Sequence, residues 1–168
     1  MRNLLLVIMV FTGFLSRTAA VFAESGNKPA VPTSVIAPNA ADFAARLPAK
    51  VYIMIGTADA NEATARGIEG LGRTPGTEFL LLPKDAIPPK AVRQSAPEYP
   101  RYAGQGQARV LGLISTSGEV VAVYCLSATH PAFGSAAAEA VGHWKYKPAK
   151  LNGTAIPVIF TQLMEFSQ

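Results

Sequence analysis

The most constraining feature of the sequence is an ordered set of turn signals and apolar runs in its carboxyl-terminal half. Two apolar runs, from Ala108 to Ser115 and from Val120 to Leu126, flank the tetrapeptide Thr116-Ser117-Gly118-Glu119. Strand-forming runs joined by a short turn that contains glycine predict an antiparallel β-hairpin. The core of this half must therefore be built on a sheet, and the elements that follow have to cover it.

One main helix is predicted to cover a face of this hairpin. Pro131 stands where helices commonly begin, since the first turn does not need its missing N–H. The residues after it that share one helical face are Phe133, Ala137, Ala140, Val141 and Trp144. Asn152-Gly153 then marks a tight turn before a last apolar strand, Ile156 to Phe166. The sequence thus predicts an α+β fold in which a three-stranded antiparallel sheet carries one main packed helix.

A smaller strand-helix-strand segment is predicted upstream, within residues 48–88. Its strands are the apolar runs Lys50 to Ile55 and Glu78 to Leu82, and Ala58 to Ile68 between them has the composition of a helix. Extension of the same sheet by this segment is an open alternative, and its sequence does not indicate a role.

The first residues have the pattern of a secretory signal. Met1-Arg2-Asn3 is a short basic start, Leu4 to Leu15 is apolar, and Ser16 to Ala23 is rich in small residues. The stretch is short for a membrane span, and Arg17 would be costly in hydrocarbon. We therefore predict a signal peptide over residues 1–23, cleaved after Ala23, with an uncleaved membrane anchor as the alternative.

The leader that follows, residues 24–47, is predicted to be flexible because it is rich in Pro, Ala and Ser, although Ala40 to Leu47 has the composition of a short helix. Residues 89–168 form the main domain. The net charge of the chain is +4, and removal of Arg2 and Arg17 with the signal lowers it to +2. This charge is too small to indicate nucleic-acid binding. A single cysteine, Cys125, excludes an internal disulfide, so packing alone must hold the core.

The ordered set as a whole resembles the C-terminal domain of the TonB family, periplasmic proteins that bind outer-membrane transporters. The residues that carry the resemblance are Tyr99-Pro100, Gly106, Gly118, Ala136-Ala137, Ala140-Val141, Trp144, Tyr146, Pro148-Ala149 and Asn152-Gly153. The resemblance implies a binding module without enzymatic activity or cofactor. Its expected location is the periplasm of a Gram-negative bacterium, or the inner membrane if the N-terminal segment stays as an anchor. Membrane contact is expected only in that second case.

The resemblance also implies how the domain binds. Family members add an extended peptide, the TonB box of a transporter, to an exposed sheet edge through main-chain hydrogen bonds, in energy-coupled transport. The residues expected at this edge are Val158, Ile159, Phe160, Thr161, Gln162 and Leu163. Those expected at the approach to it are Glu98, Tyr99 and Pro100. The implied partner is an outer-membrane TonB-dependent receptor or another envelope protein.

Other interpretations stay open at this point. The domain could be a stand-alone exported module for interaction or homodimerisation, without energy transduction. A secreted enzyme would need Cys125 with His130 or His143 as nucleophile and base, but no glycine-flanked turn surrounds the cysteine. The same three residues are a poor metal set, so no metal site is expected.

The sequence allows more than one role for each of two clusters of side chains. Trp144 and Tyr146 suit core packing better than a ligand platform. Lys145, Lys147 and Lys150 form a solvated basic face, or a contact for an acidic receptor plug or peptidoglycan.

Overall fold

The computed structural model describes residues 9–10, 35–54, 58–72 and 74–167. The predicted signal peptide therefore lies outside the described residues except for Met9 and Val10, and so does the predicted leader before residue 35. The strands are β1 Met9–Val10, β2 Lys50–Ile53, β3 Glu78–Leu81, β4 Lys90–Arg93, β5 Gly106–Ile114, β6 Val120–Ala128, β7 Lys145–Lys147, β8 Ala149–Leu151, β9 Thr154–Ile156 and β10 Val158–Phe166. The helices are α1 Ala40–Ala44, α2 Ala58–Gly70 and α3 Pro131–Gly142, with a 3₁₀ turn at Arg101–Ala103.

The main sheet is mixed and has the strand order β3-β2-β10-β5-β6, with β1 as a further short strand on β10. The predicted hairpin and last strand are its antiparallel part, since β10 pairs with β5 and β5 with β6. β2 joins β10 in parallel, and β3 joins β2 in parallel. The prediction of a three-stranded sheet is therefore wrong, because the upstream strand-helix-strand segment extends the sheet by two parallel strands.

Two tight turns set the register of the hairpins. Gly118 has a φ of 86°, and its N–H donates to the carbonyl of Ser115 at 3.0 Å. Asn152 and Gly153 have φ values of 50° and 79° in the two-residue connection from β8 to β9. A two-residue hairpin loop with both central φ values positive is a type I′ turn, which explains the Asn-Gly pair.

α3 covers one face of the sheet with the predicted residues. Phe133, Ala137, Ala140 and Val141 are fully buried, and Trp144 just after the helix is 1% exposed. The indole Nε1 of Trp144 donates to the carbonyl of Ser95 at 2.9 Å. Trp144 is thus a core residue with its one polar atom satisfied, rather than part of a ligand platform.

The opposite face of the sheet is covered by the N-terminal half of the chain. Phe43 of α1 and Leu71 after α2 share a buried cluster with Leu111, Leu113 and Ile159, whose side chains alternate with those that face α3. The predicted leader, where it is described, also packs here. The N–H of Ala37 donates to the carbonyl of Val123 at 2.8 Å, and the N–H of Val123 to the carbonyl of Val35 at 2.9 Å.

We predict that Gly118→Ala destabilises the protein more than Gly153→Ala. Both glycines have positive φ, and alanine there costs about 1 kcal/mol. A Cβ at Gly118 would also overlap the carbonyl oxygen of Tyr146, whereas the space around Gly153 is open. The free energy of unfolding, measured in denaturant, should fall by about 3 kcal/mol in Gly118→Ala and by about 1 kcal/mol in Gly153→Ala. Equal losses would contradict the steric argument.

Tyr146 gives the fold a predicted sensitivity to alkali. Its ring lies 5.7 Å from that of Phe160, its hydroxyl accepts a hydrogen bond from Gln94 Nε2 at 3.4 Å, and burial raises its pKa well above the ordinary value. The unfolded chain therefore loses this proton near pH 10 while the folded chain keeps it, so stability is lost as pH rises above about 10, by up to about 1.4 kcal/mol per pH unit. Tyr146→Phe should remove this share of the slope of unfolding free energy against pH. The control Tyr102→Phe, at a tyrosine that is 82% exposed, should leave the slope unchanged.

Candidate partner-binding site at the edge of strand β10

The two edges of β10 differ in how many of their residues pair with another strand. On one edge it pairs with β5 over all nine residues, from Val158 opposite Ile114 to Phe166 opposite Gly106. On the other edge β2 pairs with Val158 and Ile159 only. The N–H of Tyr52 donates to the carbonyl of Pro157 at 3.1 Å, and the N–H of Met54 to that of Ile159 at 2.9 Å. The prediction that an edge is open at Val158 and Ile159 is therefore wrong, because β2 has taken it.

The same edge continues past β2. Backbone groups of successive residues in a strand point to alternate sides. Since the carbonyls of Pro157 and Ile159 point to β2, the N–H and carbonyl groups of Thr161, Leu163 and Glu165 point to the same side. Those of Phe160, Gln162 and Met164 point to β5. The stretch from Thr161 to Glu165 is thus the part of β10 whose outer backbone groups lie beyond the end of β2.

Within the described residues, this stretch receives one short partner. β1 pairs antiparallel with it, with Met9 opposite Met164 and Val10 opposite Leu163. A peptide backbone therefore fits against β10 at this position in extended form. The side-chain amide of Gln162 also donates to the carbonyl of Leu163 at 2.7 Å, so an incoming strand has to share or displace this bond.

α2 lies against β10 beside this edge. Thr64 is 2% exposed, and its hydroxyl shares a hydrogen bond with that of Thr161. On the sheet face covered by α3, the side chains of Gln162 and Met164 are buried, while Leu163 and Glu165 on the other face are half-buried. The side chains of a strand added here would thus lie beside buried side chains on one face of the sheet and beside half-buried side chains on the other.

The predicted approach residues lie at the far end of β10. Tyr99 is 8% exposed, its ring lies 6.3 Å from those of Phe133 and Phe166, and its hydroxyl donates to the carbonyl of Gly104. Val158 is eight residues before Phe166, which places it roughly 26 Å away along the strand. Tyr99 is therefore a core residue.

The neighbours of Tyr99 divide by exposure. Pro100 is half-buried and Glu98 is exposed. The structure does not bring these three residues together with Val158 and Ile159. The aromatic character of Tyr99 was the available signal for a core position, whereas no sequence pattern indicated that β2 would pair with the start of β10.

The contacts of Cys125 and His130, which were considered for catalysis, indicate structural roles. Burial raises the pKa of the Cys125 thiol, and a backbone hydrogen bond with Ser127 offsets a smaller part of this rise. A raised pKa leaves less of the reactive thiolate at neutral pH. Nδ1 of His130 accepts the N–H of Ala132 at 3.2 Å and so caps α3. No group of three His, Cys, Asp or Glu side chains suited to a metal occurs among the described residues.

The comparisons with known proteins bear on the domain that contains this edge. Residues 95–167 match the family model for the Gram-negative bacterial TonB protein C-terminal domain. A comparison with curated proteins gives no match. Among solved structures, the chain is similar to a solution NMR structure of the Pseudomonas aeruginosa TonB C-terminal domain, with 24% sequence identity and a TM-score of 0.40 over 51% of this chain and 89% of that chain.

Domains of this family are non-enzymatic interaction modules of the Gram-negative periplasm, and they interact with outer-membrane receptors. In the part of the chain that the structure describes, no helix is long and apolar enough to cross a membrane. The family match spans β5, β6, α3 and β10, the elements that form the edge and the helix behind it. Residues 95–167 of this chain, a little under half of it, therefore match the TonB C-terminal family model.

Proposed function

We propose that this chain is a periplasmic TonB-like protein that binds an extended segment of an outer-membrane receptor, the TonB box, by strand addition to β10 between Thr161 and Glu165. The observation that carries the proposal is the pairing of Met9 and Val10 with Met164 and Leu163. An extended backbone is accommodated on this edge beyond the end of β2. The proposed role is in energy-coupled transport.

Strand addition suits this edge for a physical reason. The outer N–H and carbonyl groups of Thr161, Leu163 and Glu165 need partners, and a second backbone supplies donors and acceptors at the right spacing. Each such hydrogen bond contributes about 1 kcal/mol net. Specificity then comes from side chains that alternate along the added strand. We expect an apolar residue opposite Leu163, as Val10 is in the intramolecular pairing.

Removal of the signal peptide is part of the proposal. Cleavage after Ala23 releases Met9 and Val10, so the intramolecular strand on β10 is lost and a partner can take its place. The exported mature protein then offers its edge in the periplasm. A retained inner-membrane anchor is the alternative, in which case the two residues compete with the partner.

We predict that a synthetic TonB-box peptide shifts the backbone amide signals of Thr161, Leu163 and Glu165 in the mature protein. The amides of Val158 and Ile159 should move less, since β2 already covers that part of the edge. A two-dimensional ¹H–¹⁵N NMR titration measures both. Peptide-dependent shifts that occur elsewhere, without change from residue 161 to residue 165, would remove the proposed site.

N-methylation of the peptide provides the matched control. A methyl group on a backbone nitrogen that faces β10 removes a hydrogen bond and blocks approach, while one on the next nitrogen faces away. Affinity should therefore fall at alternate positions by roughly fivefold or more. A series without this two-residue period would show that the peptide does not bind as a strand.

A second function deserves a test because the same edge can pair with its own copy. Two β10 edges related by a twofold axis form an antiparallel pair, as isologous dimers require. Light scattering of the mature protein across concentrations distinguishes the two functions. A stable dimer whose β10 amides do not respond to peptide would favour the stand-alone interaction module over the receptor-binding protein.

A further inference from the structure

A cluster of exposed cations lies on a small ribbon outside the main sheet. β4 and β7 pair antiparallel, with Lys90 opposite Lys147 and Arg93 opposite Lys145. Ile87 and Lys150 form a bridge in the same antiparallel direction. We call residues 84–93 and 145–150 together the basic ribbon.

The register places four cations on one face of this ribbon. Ala91 lies opposite Tyr146, whose side chain packs on Phe160, so Tyr146 marks the inner face. Lys145 and Lys147 flank Tyr146 and therefore point outward. Residues directly opposite each other across a ladder share a face, so Lys90 and Arg93 point outward with them. The irregularity between Ala91 and Arg93 is what allows both β4 cations onto that face.

This arrangement is unfavourable for the isolated protein. Like charges directly opposite each other across two strands destabilise the pairing. With Lys84 and Lys150, the basic ribbon holds six exposed cations. In the part of the chain that the structure describes, Lys145 forms an ion pair with Glu119, with 3.4 Å between Nζ and Oε1. Allowing for Glu119 and Asp85, the local charge is +4, which equals the net charge of the whole chain.

An exposed aliphatic side chain lies beside these cations, since Val92 at the irregularity of β4 is 63% exposed. Ile87 is 62% exposed and lies opposite Lys150, three residues from the pair of Lys90 and Lys147, so by alternation it points to the other side of the ribbon. Aliphatic groups surrounded by lysines are the chemistry of protein surfaces that lie on acidic lipid headgroups, where the charges attract and the apolar groups enter the boundary.

We propose that the basic ribbon is a peripheral binding surface for a membrane that contains acidic phospholipids. This surface is part of the folded domain, and it is separate from the N-terminal segment and from the peptide-binding edge. It would hold the domain against a bilayer while β10 remains free for a partner.

The type of cation on this surface favours a lipid layer over a bound peptide. Five of the six cations are lysines, compact charges that attract phosphates without the paired geometry that arginine brings to a carboxylate. A lipid layer, with many mobile phosphate groups, neutralises such a group of lysines better than one extended peptide does.

The test uses the full chain and vesicles of two compositions, phosphatidylcholine alone and phosphatidylcholine with phosphatidylglycerol. We expect binding to the acidic vesicles to fall by at least tenfold in Lys90→Gln/Lys147→Gln, at roughly fivefold per charge, and to weaken with salt. The control Lys50→Gln/Arg101→Gln removes two exposed charges outside the basic ribbon and should bind as the wild type does. The N-terminal segment is the same in all three proteins, so its own affinity for lipid cancels.

A second measurement reports which face touches the bilayer. Val92→Cys and, as control, Tyr102→Cys are each made in a Cys125→Ser background and labelled with an environment-sensitive dye. The emission at position 92 should shift to the blue on acidic vesicles, and that at position 102 should not. Equal shifts, or binding that the paired substitution at Lys90 and Lys147 leaves unchanged, would overturn the proposal. Binding to soluble polyglutamate or peptidoglycan without binding to acidic vesicles would overturn it in favour of another anionic partner.

Discussion

The antiparallel pairing of β10 with β5 is the interaction on which the rest of the structure depends. It runs over nine residues and joins the last strand of the chain to the first strand of the hairpin. The side chains of Phe160, Met164 and Phe166 then meet Phe133 and Trp144 in the core under α3. Because one edge of β10 is used completely in this way, any further strand must come to the other edge.

On that other edge, β2 pairs in parallel with the first two residues of β10, which brings α1 and α2 onto the sheet face that α3 leaves uncovered. The N-terminal half therefore shields the apolar residues Leu111, Leu113 and Ile159.

Partner binding at Val158 to Leu163 stays a prediction, and the structure shows that β2 pairs with the first two residues of this stretch. β10 was identifiable from its apolar residues after the Asn152-Gly153 turn. Its occupation by β2 was not, because the pairing joins segments about 100 residues apart and each apolar strand can in principle pair with any free edge. The resemblance placed Tyr99 at the approach to the edge, whereas its ring packs near those of Phe133 and Phe166.

The sequence by itself determined the features that depend on near neighbours. These are the turns at Gly118 and Asn152-Gly153, which need positive φ, and the buried face of α3, which follows from the helical period. Only the tertiary structure decided the strand order, the stretch of β10 that β2 leaves unpaired and the gathering of Lys90, Arg93, Lys145 and Lys147 on one surface. The physical reason is that turn and helix preferences act over a few residues, whereas strand pairing is selected by the burial of both sheet faces at once.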